Sequence, residues 1–225
     1  MAQNIHDKII KKAATEILAP LGLFQKGKSR CWIDDNGWYL TNVEFQPSAW
    51  SKGAYLNVGV SFLWGKTDTL DETLSFDVGY RENRHIEFTG DEDDFYKKMI
   101  DISTQASEKI IYYRKFRDFK FCELKLKELA KGKNSFWNNW DMAMFYFLTN
   151  DVQNGKRHIE KLIEITQTGL GIEWIDEFIE KCEGLLRSEI DFSKFVLDSV
   201  YERRAYFCSK PSFRKLGNWT GFNFI

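Results

Sequence analysis

Two neighbouring segments of the chain carry amide or carboxylate side chains in one phase of a two-residue alternation. The first segment has Asn42, Glu44 and Gln46 in one phase, and the second has Asn57 in the matching phase. Successive side chains of a β-strand point to opposite faces, so these groups would gather on one surface, which we call the polar sheet face. Convergent polar groups between aromatic walls are typical of a small-ligand site. The candidate binding residues are Trp38, Asn42, Glu44, Gln46, Tyr55 and Asn57.

A solvated outer face is the alternative interpretation of the same pattern. An antiparallel sheet often packs helices on one face and leaves the other face in water, and its polar residues then need no further function. Asn and Gly have low strand propensity, however, so their recurrence on one face also favours a binding site. Both interpretations stay open at this stage.

Catalytic chemistry has weaker support in the sequence. Acid–base catalysis by paired carboxylates would need Asp34 or Asp77 on the same face as Glu44. A nucleophile–base pair of Cys31 and His85 is a second alternative, since both lie on candidate strands. We predict no phosphate-binding loop and no dinucleotide motif. We also predict no zinc site, because the three histidines are isolated and no Cys-x-x-Cys pair occurs. The sequence thus predicts no catalytic residue, no metal and no cofactor, and leaves open whether the protein is an enzyme.

The composition is that of a globular protein and restricts its partners. The chain has 225 residues, of which 43% are hydrophobic and 29% charged, and its formal net charge is −1. Non-specific nucleic-acid binding needs a basic surplus, so this charge argues against a nucleic-acid partner. No apolar run approaches the ~20 residues that span a bilayer, which predicts no membrane segment. The four dispersed cysteines indicate reduced thiols and a cytoplasmic location.

Hydrophobic periodicity predicts an α+β fold. A helix over residues 4–19 would precede an antiparallel sheet of four to five strands, and a long helix over residues 89–116 would follow the sheet. We expect an α+β antiparallel-sheet domain at residues 1–118. Residues 119–225 would form a C-terminal all-helical extension, a stack of helical hairpins that packs on the first domain. The predicted strands cover residues 29–34, 38–46, 55–64, 73–80 and 85–88.

The side chains of the outer strands can be assigned to faces by their hydrophobicity. The Asn-Gly dipeptide at residues 36–37 is a strong hairpin signal, so the first two strands should pair directly. On hydrophobicity, the apolar face would receive Cys31 and Phe76, and the polar face would receive Trp32 and Asp34. These assignments determine which side chains the sheet can bring together.

A diffuse set of motifs runs through the first half of the chain. It consists of Gly-Leu-Phe-Gln-Lys-Gly from Gly22, Trp32, Asn-x-x-Phe-Gln from Asn42, Ser48, Trp50 and Asn-Val-Gly-Val from Asn57. On these residues, the stretch 5–119 resembles the bacterial family called domain of unknown function 4304, whereas the longer connection 50–55 and the helical second half depart from that pattern. Members of the family have no established activity. Similar small α+β proteins often occur as immunity or interaction proteins in bacterial conflict systems, so the resemblance implies a cytosolic protein-binding module.

Two hypotheses for the function follow. The first is a non-catalytic protein-binding module, of immunity or interaction type, that uses the polar sheet face or an acidic helix at residues 172–190. The second is a small-ligand-binding protein or an enzyme that uses the polar sheet face. Its working residues would be Asn42, Glu44, Gln46 and Asn57. The sequence makes no prediction of the oligomeric state.

Overall fold

The structure is a computed structural model that describes residues 5–65, 70–131, 136–166 and 173–221. Within these residues the chain forms seven α-helices and six strands, which confirms the predicted α+β fold. The helices are α1 (Ile5–Leu18), α2 (Glu92–Arg114), α3 (Phe119–Ala130), α4 (Phe136–Leu148), α5 (Val152–Thr166), α6 (Glu173–Arg187) and α7 (Phe192–Cys208). The strands are β1 (Phe24–Gln25), β2 (Cys31–Asp35), β3 (Tyr39–Gln46), β4 (Gly53–Phe62), β5 (Val78–Arg81) and β6 (Ile86–Glu87).

Two compact units divide the chain, and each is built from more than one stretch. The first unit comprises Met1–Phe62, Glu72–Lys115 and Tyr206–Ile225, and it contains the sheet with α1 and α2. The second comprises Leu63–Asp71 and Phe116–Ala205, and it contains α3 to α6 and most of α7. The sequence predicted a single division between residues 118 and 119. In the structure, Leu63–Asp71 belongs to the second unit and Tyr206–Ile225 to the first.

The sheet is antiparallel and follows the chain from each strand to the next. Its order is β1-β2-β3-β4-β5, and β6 pairs with the start of β4. The central pair, β3 with β4, sets Glu44 opposite Asn57 and Val43 opposite Val58. Directly opposed residues share a face, so the valines lie on one side of the sheet and the polar pair on the other. β1 is only two residues long, which is too short for periodicity to reveal.

The long helix α2 covers the apolar face of the sheet and packs against α1. Its C-terminal end is fixed by two polar contacts with the sheet. The Tyr39 hydroxyl donates to the Tyr113 backbone oxygen at 2.8 Å. The Arg114 guanidinium donates to both carboxylate oxygens of Asp34, at 2.6 and 3.0 Å. Asp34 is buried, and a buried carboxylate is costly without such a partner, so this pair holds the helix end and the strand together.

The predicted faces of the first hairpin strand were wrong. β2 pairs with β3 so that Cys31 lies opposite Glu44, and Cys31 is therefore on the polar sheet face. Trp32 and Asp34 lie on the opposite, helix-covered face. The physical reason is that Trp32, which is 1% exposed, fills core volume there, while Asp34 gains the guanidinium of Arg114. The assignment by hydrophobicity had placed Cys31 on the apolar face and Trp32 and Asp34 on the polar face.

The fourth predicted strand is shorter than expected. Regular pairing with β4 covers only Val78–Arg81, and residues 73–77 are irregular. Phe76 was expected in the apolar core and instead lies over Gly59. A Cβ added to Gly59 would stand 2.7 Å from the Phe76 ring. The missing side chain of this glycine makes room for the ring, a tertiary contact that strand periodicity does not predict.

In the second unit, α4 is buried around most of its circumference. It contacts α3 and α5, and its Trp140 indole donates to the Gly65 backbone oxygen at 2.7 Å. At the α4–α5 contact, Gly155 faces Phe147, whose ring would stand 2.3 Å from a Cβ on the glycine. The close approach of the two helices therefore requires a residue without a side chain at this position.

His158 lies on α5 in a partly buried position. Its ring stacks on Tyr146 at a centroid distance of 5.6 Å, and its Nδ1 lies 3.0 Å from Oδ1 of Asn139. Burial lowers the pKa of His158 to about 4, and the charges of Lys161 and Lys127 act in the same direction. The folded protein therefore holds this imidazole neutral at neutral pH, with the proton on Nδ1 for donation to Asn139.

Replacing Gly155 by alanine should destabilise the protein, although alanine is the better helix former. The methyl group would overlap the Phe147 ring, and overpacking costs about 1–3 kcal/mol, more than the ~1 kcal/mol that helix propensity returns. Gly184→Ala in α6 is the matched control. No atom lies within 4 Å of its Cβ position, so that change should stabilise by up to about 1 kcal/mol. Urea unfolding gives both signs, and a stabilised Gly155→Ala variant would contradict the close helix contact.

Titration of His158 should weaken the fold in mild acid. The pKa of His158 is lower in the folded state than its ordinary value of 6.5. The neutral imidazole therefore contributes its full share of stability above pH 6.5, and this share is lost as the pH falls towards about 4. His158→Gln cannot titrate, and it should lose less stability than the parent between about pH 7 and about pH 5. Urea unfolding at each pH measures this, and equal losses in both proteins would refute it.

Candidate functional site

The pairing of β3 with β4 brings most of the predicted site residues onto one face. Opposed residues of an antiparallel pair share a face, and the register gives the polar sheet face a continuous set of such pairs. They are Asn42–Gly59, Glu44–Asn57 and Gln46–Tyr55. All the predicted residues except Trp38 therefore come together.

Trp38 does not belong to this surface. It precedes β3 and is 1% exposed, with its ring stacked on Phe62 at 5.6 Å and edge-on to Tyr39 at 4.8 Å. Along an extended strand, Tyr39 is already roughly 17 Å from Glu44. Trp38 is a core residue at the far end of the strand, and the expectation that it forms a wall of the site was wrong.

The remaining polar side chains form one hydrogen-bonded network centred on Asn57. Its Nδ2 donates to Oε2 of Glu44 at 2.8 Å and to Oε1 of Gln46 at 3.0 Å. Arg81 donates through Nε to Oδ1 of Asn57 at 2.8 Å and through Nη2 to Oε1 of Gln46 at 2.6 Å. The Arg81 guanidinium also lies 4.0 Å from the centroid of the Tyr55 ring. Every polar atom of the Asn57 side chain is thereby satisfied.

Arg81 was missed in the sequence although its position carried a usable signal. It lies opposite Asn57 in the β4–β5 ladder. The predicted fourth strand ended at residue 80, and one further residue in the same alternation would have placed Arg81 on the polar sheet face. A guanidinium next to amides and a carboxylate is the group expected to bridge them.

Burial separates the network into two parts. Asn57 is 0% exposed and Asn42 is 2% exposed, whereas Glu44 and Gln46 are only partly buried. The polar sheet face is therefore not the freely solvated surface of the alternative interpretation. Its inner amides are structural, and its outer carboxylate remains accessible.

The irregular segment 73–77 accounts for this burial because it crosses the polar sheet face. The Ser61 hydroxyl, on β4, donates to the backbone oxygen of Ser75. Asp77 Oδ2 accepts from the Phe62 backbone N–H at 2.7 Å. Together with the Phe76 ring over Gly59, these contacts turn a flat sheet surface into a recess.

A pocket of about 460 Å³ opens beside this segment, and we call it the first pocket. Its polar lining includes Asn42, Glu44 and Cys31, and its apolar lining includes Leu74 and Phe76. The walls are completed by Thr73 of the same segment, by the loop between β1 and β2 and by the stretch that follows α7. The residues of that loop and stretch are Lys26, Gly27, Lys28, Ser29 and Ser212. A convergent set of polar groups thus lies in a concave, partly apolar site.

Glu44 is the accessible anionic group of the first pocket. Its Oε2 accepts from Asn57, and among the residues that the structure describes it has no ion pair and no hydrogen bond to Oε1. One carboxylate oxygen therefore remains available to a ligand that carries an N–H or O–H donor.

The surroundings of these residues support neither of the two catalytic alternatives. Asp34 points to the helix-covered face, where it pairs with Arg114, and Asp77 accepts from a backbone amide of β4. Neither joins Glu44 as a second carboxylate in the first pocket. Burial raises the pKa of the Cys31 thiol to about 12, so this cysteine is protonated at neutral pH, the reverse of an activated nucleophile.

Comparisons of the chain with protein-family models, with curated proteins and with solved structures found no match. The resemblance to the family called domain of unknown function 4304 therefore stays a prediction from the sequence. None of the described helices has the length and apolar run that a bilayer crossing requires. Within the described ranges, no three His, Cys, Asp or Glu side chains are grouped as a metal site would need.

A sequence motif next to the first pocket was also missed. Gly22–Ser29 reads Gly-x-x-x-x-Gly-Lys-Ser, the consensus of a phosphate-binding loop, although none was predicted. In nucleotide-binding proteins this sequence joins a strand to a helix whose N-terminus meets the phosphates. Here it runs from a helical turn through β1 towards β2, so the motif lacks the context for that mechanism. It does supply Gly27 and Lys28 to the lining of the pocket.

Asn57→Ala should destabilise the protein by about 2–4 kcal/mol. The change leaves a cavity and removes a buried amide from hydrogen bonds with Glu44, Gln46 and Arg81. Gln105→Ala, which truncates an exposed amide on α2, is the matched control and should change stability by no more than about 0.5 kcal/mol. Urea unfolding measures both variants. A cost for Asn57→Ala no larger than that of the control would show that the network does not hold the sheet.

Proposed function

We propose that the protein is a small-molecule-binding module whose ligand occupies the first pocket. The observation that carries this proposal is the recess of about 460 Å³ over Asn42 and Glu44. Its size falls within the roughly 300–1,000 Å³ of small-molecule sites. A flat polar surface would have favoured a protein partner instead.

The lining of the pocket supports a ligand with one polar end. Leu74 and Phe76 offer apolar contact, and Glu44 offers a carboxylate oxygen with no partner among the described residues. The Asn57 amide fixes the direction of the carboxylate before any ligand arrives, which reduces the entropy that binding must overcome. We therefore propose a ligand that donates a hydrogen bond from an ammonium or amide nitrogen to Glu44.

Binding without catalysis is the form of the proposal that the surroundings of Glu44 favour. Neither Asp34 nor Asp77 is beside it as a partner acid, and the raised pKa of the Cys31 thiol, about 12, does not suit a nucleophile. A single carboxylate held by a neutral amide is suited to ligand recognition.

The hypothesis of a bacterial protein-binding module of immunity type, and with it a cytoplasmic location, stays a prediction. Of its two surfaces, the polar sheet face is crossed by segment 73–77, which leaves a recess there. The second surface is the outer side of α6, where Glu173, Asp176, Glu177 and Glu180 are exposed. Exposed acids on a helix are as typical of a solvated face as of an interface.

Glu44→Gln should weaken ligand binding by about 10- to 100-fold while the fold is retained. The substitution preserves shape and an acceptor for Asn57 but removes the charge, and a hydrogen bond to a charged group contributes about 1.5–3 kcal/mol. A thermal-shift screen of small metabolites against the full chain identifies binders. Isothermal titration calorimetry then compares the parent with Glu44→Gln.

Glu108→Gln is the control for this experiment, because Glu108 is exposed on α2 and lines neither this pocket nor its neighbour. It should bind the same compounds as the parent does. Binders whose affinity is equal in the parent and in Glu44→Gln would remove the first pocket from the proposal.

A further inference from the structure

A second pocket adjoins the first, and all the charged side chains in its lining are cationic. It has a volume of about 400 Å³ and is lined by Gln25, Gly27, Lys28, Pro211, Ser212, Arg214 and Lys215. Three of these side chains are cationic and none is acidic. We infer that this second pocket binds a phosphate group, carried by the same ligand whose donor end meets Glu44; the inference rests on the proposed function of the first pocket.

The acids that the structure describes do not neutralise the cations of the second pocket. Among the described residues, Lys28, Arg214 and Lys215 form no ion pair with an acid. The Lys11 ammonium lies close by, since its Nζ donates to the Lys28 backbone oxygen at 2.7 Å. The Ser212 hydroxyl, in the lining of the pocket, donates to the Glu72 carboxylate. A concave surface with an excess of positive charge attracts anions.

The walls between the two pockets are shared and held in place by the backbone. Gly27, Lys28 and Ser212 line both pockets. The Gly27 N–H donates to the Ser212 backbone oxygen at 2.9 Å, which joins the loop before β2 to the C-terminal stretch. The Lys26 ammonium, 4.8 Å from the Phe213 ring centroid, adds a second contact between these segments. The two pockets therefore lie next to each other on either side of one wall, and the ligand that we infer would extend over it.

The positions of Glu44, Arg214 and Lys215 define the chemical class of the ligand that we infer. Glu44 lines the first pocket, and Arg214 and Lys215 line the second. A planar guanidinium together with ammonium groups suits the oxygens of a phosphate. The ligand that fits both ends is a small phosphate monoester with a protonated amine at its other end.

A series of aminoalkyl phosphates of increasing chain length provides the test, each compared with the aminoalcohol of the same length. Calorimetry with the full chain should find one length that binds more tightly than its alcohol. The double variant Arg214→Ala with Lys215→Ala should weaken that phosphate by about tenfold, because two partly solvated ion pairs are lost. The affinity for the alcohol should not change.

The control variant combines Lys97→Ala with Lys120→Ala. Both lysines are exposed and line neither pocket, and the change in net charge is the same. It should leave the affinity for the phosphate as it is in the parent, and an equal loss in this variant would reduce the effect to general electrostatics and overturn the phosphate site. Arg214→Lys, which keeps the charge, should recover most of the binding.

The outcomes separate this inference from the proposed function. If Glu44→Gln weakens binding and the Arg214/Lys215 variant does not, the phosphate site is refuted and the first pocket stands. If only the Arg214/Lys215 variant weakens binding, the phosphate site stands and the role of Glu44 is refuted. If no compound of either series binds, a ligand that spans the two pockets is refuted.

Discussion

A buried amide on a central strand must find its hydrogen-bond partners inside the protein, and Asn57 finds them on both neighbouring strands. β3 supplies Glu44 and Gln46, and β5 supplies Arg81. An unsatisfied buried amide would cost about 1–3 kcal/mol, and a one-residue shift of either strand would carry these partners to the opposite face. The amide therefore fixes the register of three strands through side chains as well as through the backbone ladder. The position of the Glu44 carboxylate is a consequence of that requirement.

The recess over this network exists because β4 carries a glycine where the chain returns across the sheet. Phe76 lies over Gly59, and the backbone of Ser75 and the side chain of Asp77 are bound to β4 on either side of the ring. Any side chain at Gly59 would push this segment outwards and open the sheet to water. Local irregularity in residues 73–77 thus gives the polar sheet face a wall, and the wall makes a recess out of a surface that strand alternation alone would leave flat.

Alternation predicted the faces at the centre of the sheet because β3 and β4 each have one apolar and one polar phase. It left the partner of Glu44 open between Asn57 and Ser61, and the register in the structure selects Asn57. The edges were less predictable because tertiary partners decide them. Asp34 is on the apolar side since Arg114 reaches it from α2, and no local pattern reveals that helix end. Trp38 looked like a site wall because aromatic residues serve both cores and pockets. Two features could have been predicted from the sequence. Arg81 follows from one more step of strand alternation, and the Gly-x-x-x-x-Gly-Lys-Ser motif at Gly22–Ser29 follows from its spacing.

A half-buried carboxylate usually forms an ion pair with the nearest cation, and the surroundings of Glu44 explain why it does not. Lys26 lines the same pocket, but its ammonium donates to the Glu72 backbone oxygen and lies over Phe213. Arg81 is bound to Asn57 and Gln46. Lys28 also lines the pocket, and it forms no ion pair with an acid among the described residues. Within the described ranges the partner of Glu44 is the neutral amide of Asn57, which orients the carboxylate without cancelling its charge. An oriented acceptor in a concave site interacts more strongly with a donor than a solvated acceptor does. The network that stabilises the sheet is therefore also the basis of the recognition that we propose for Glu44.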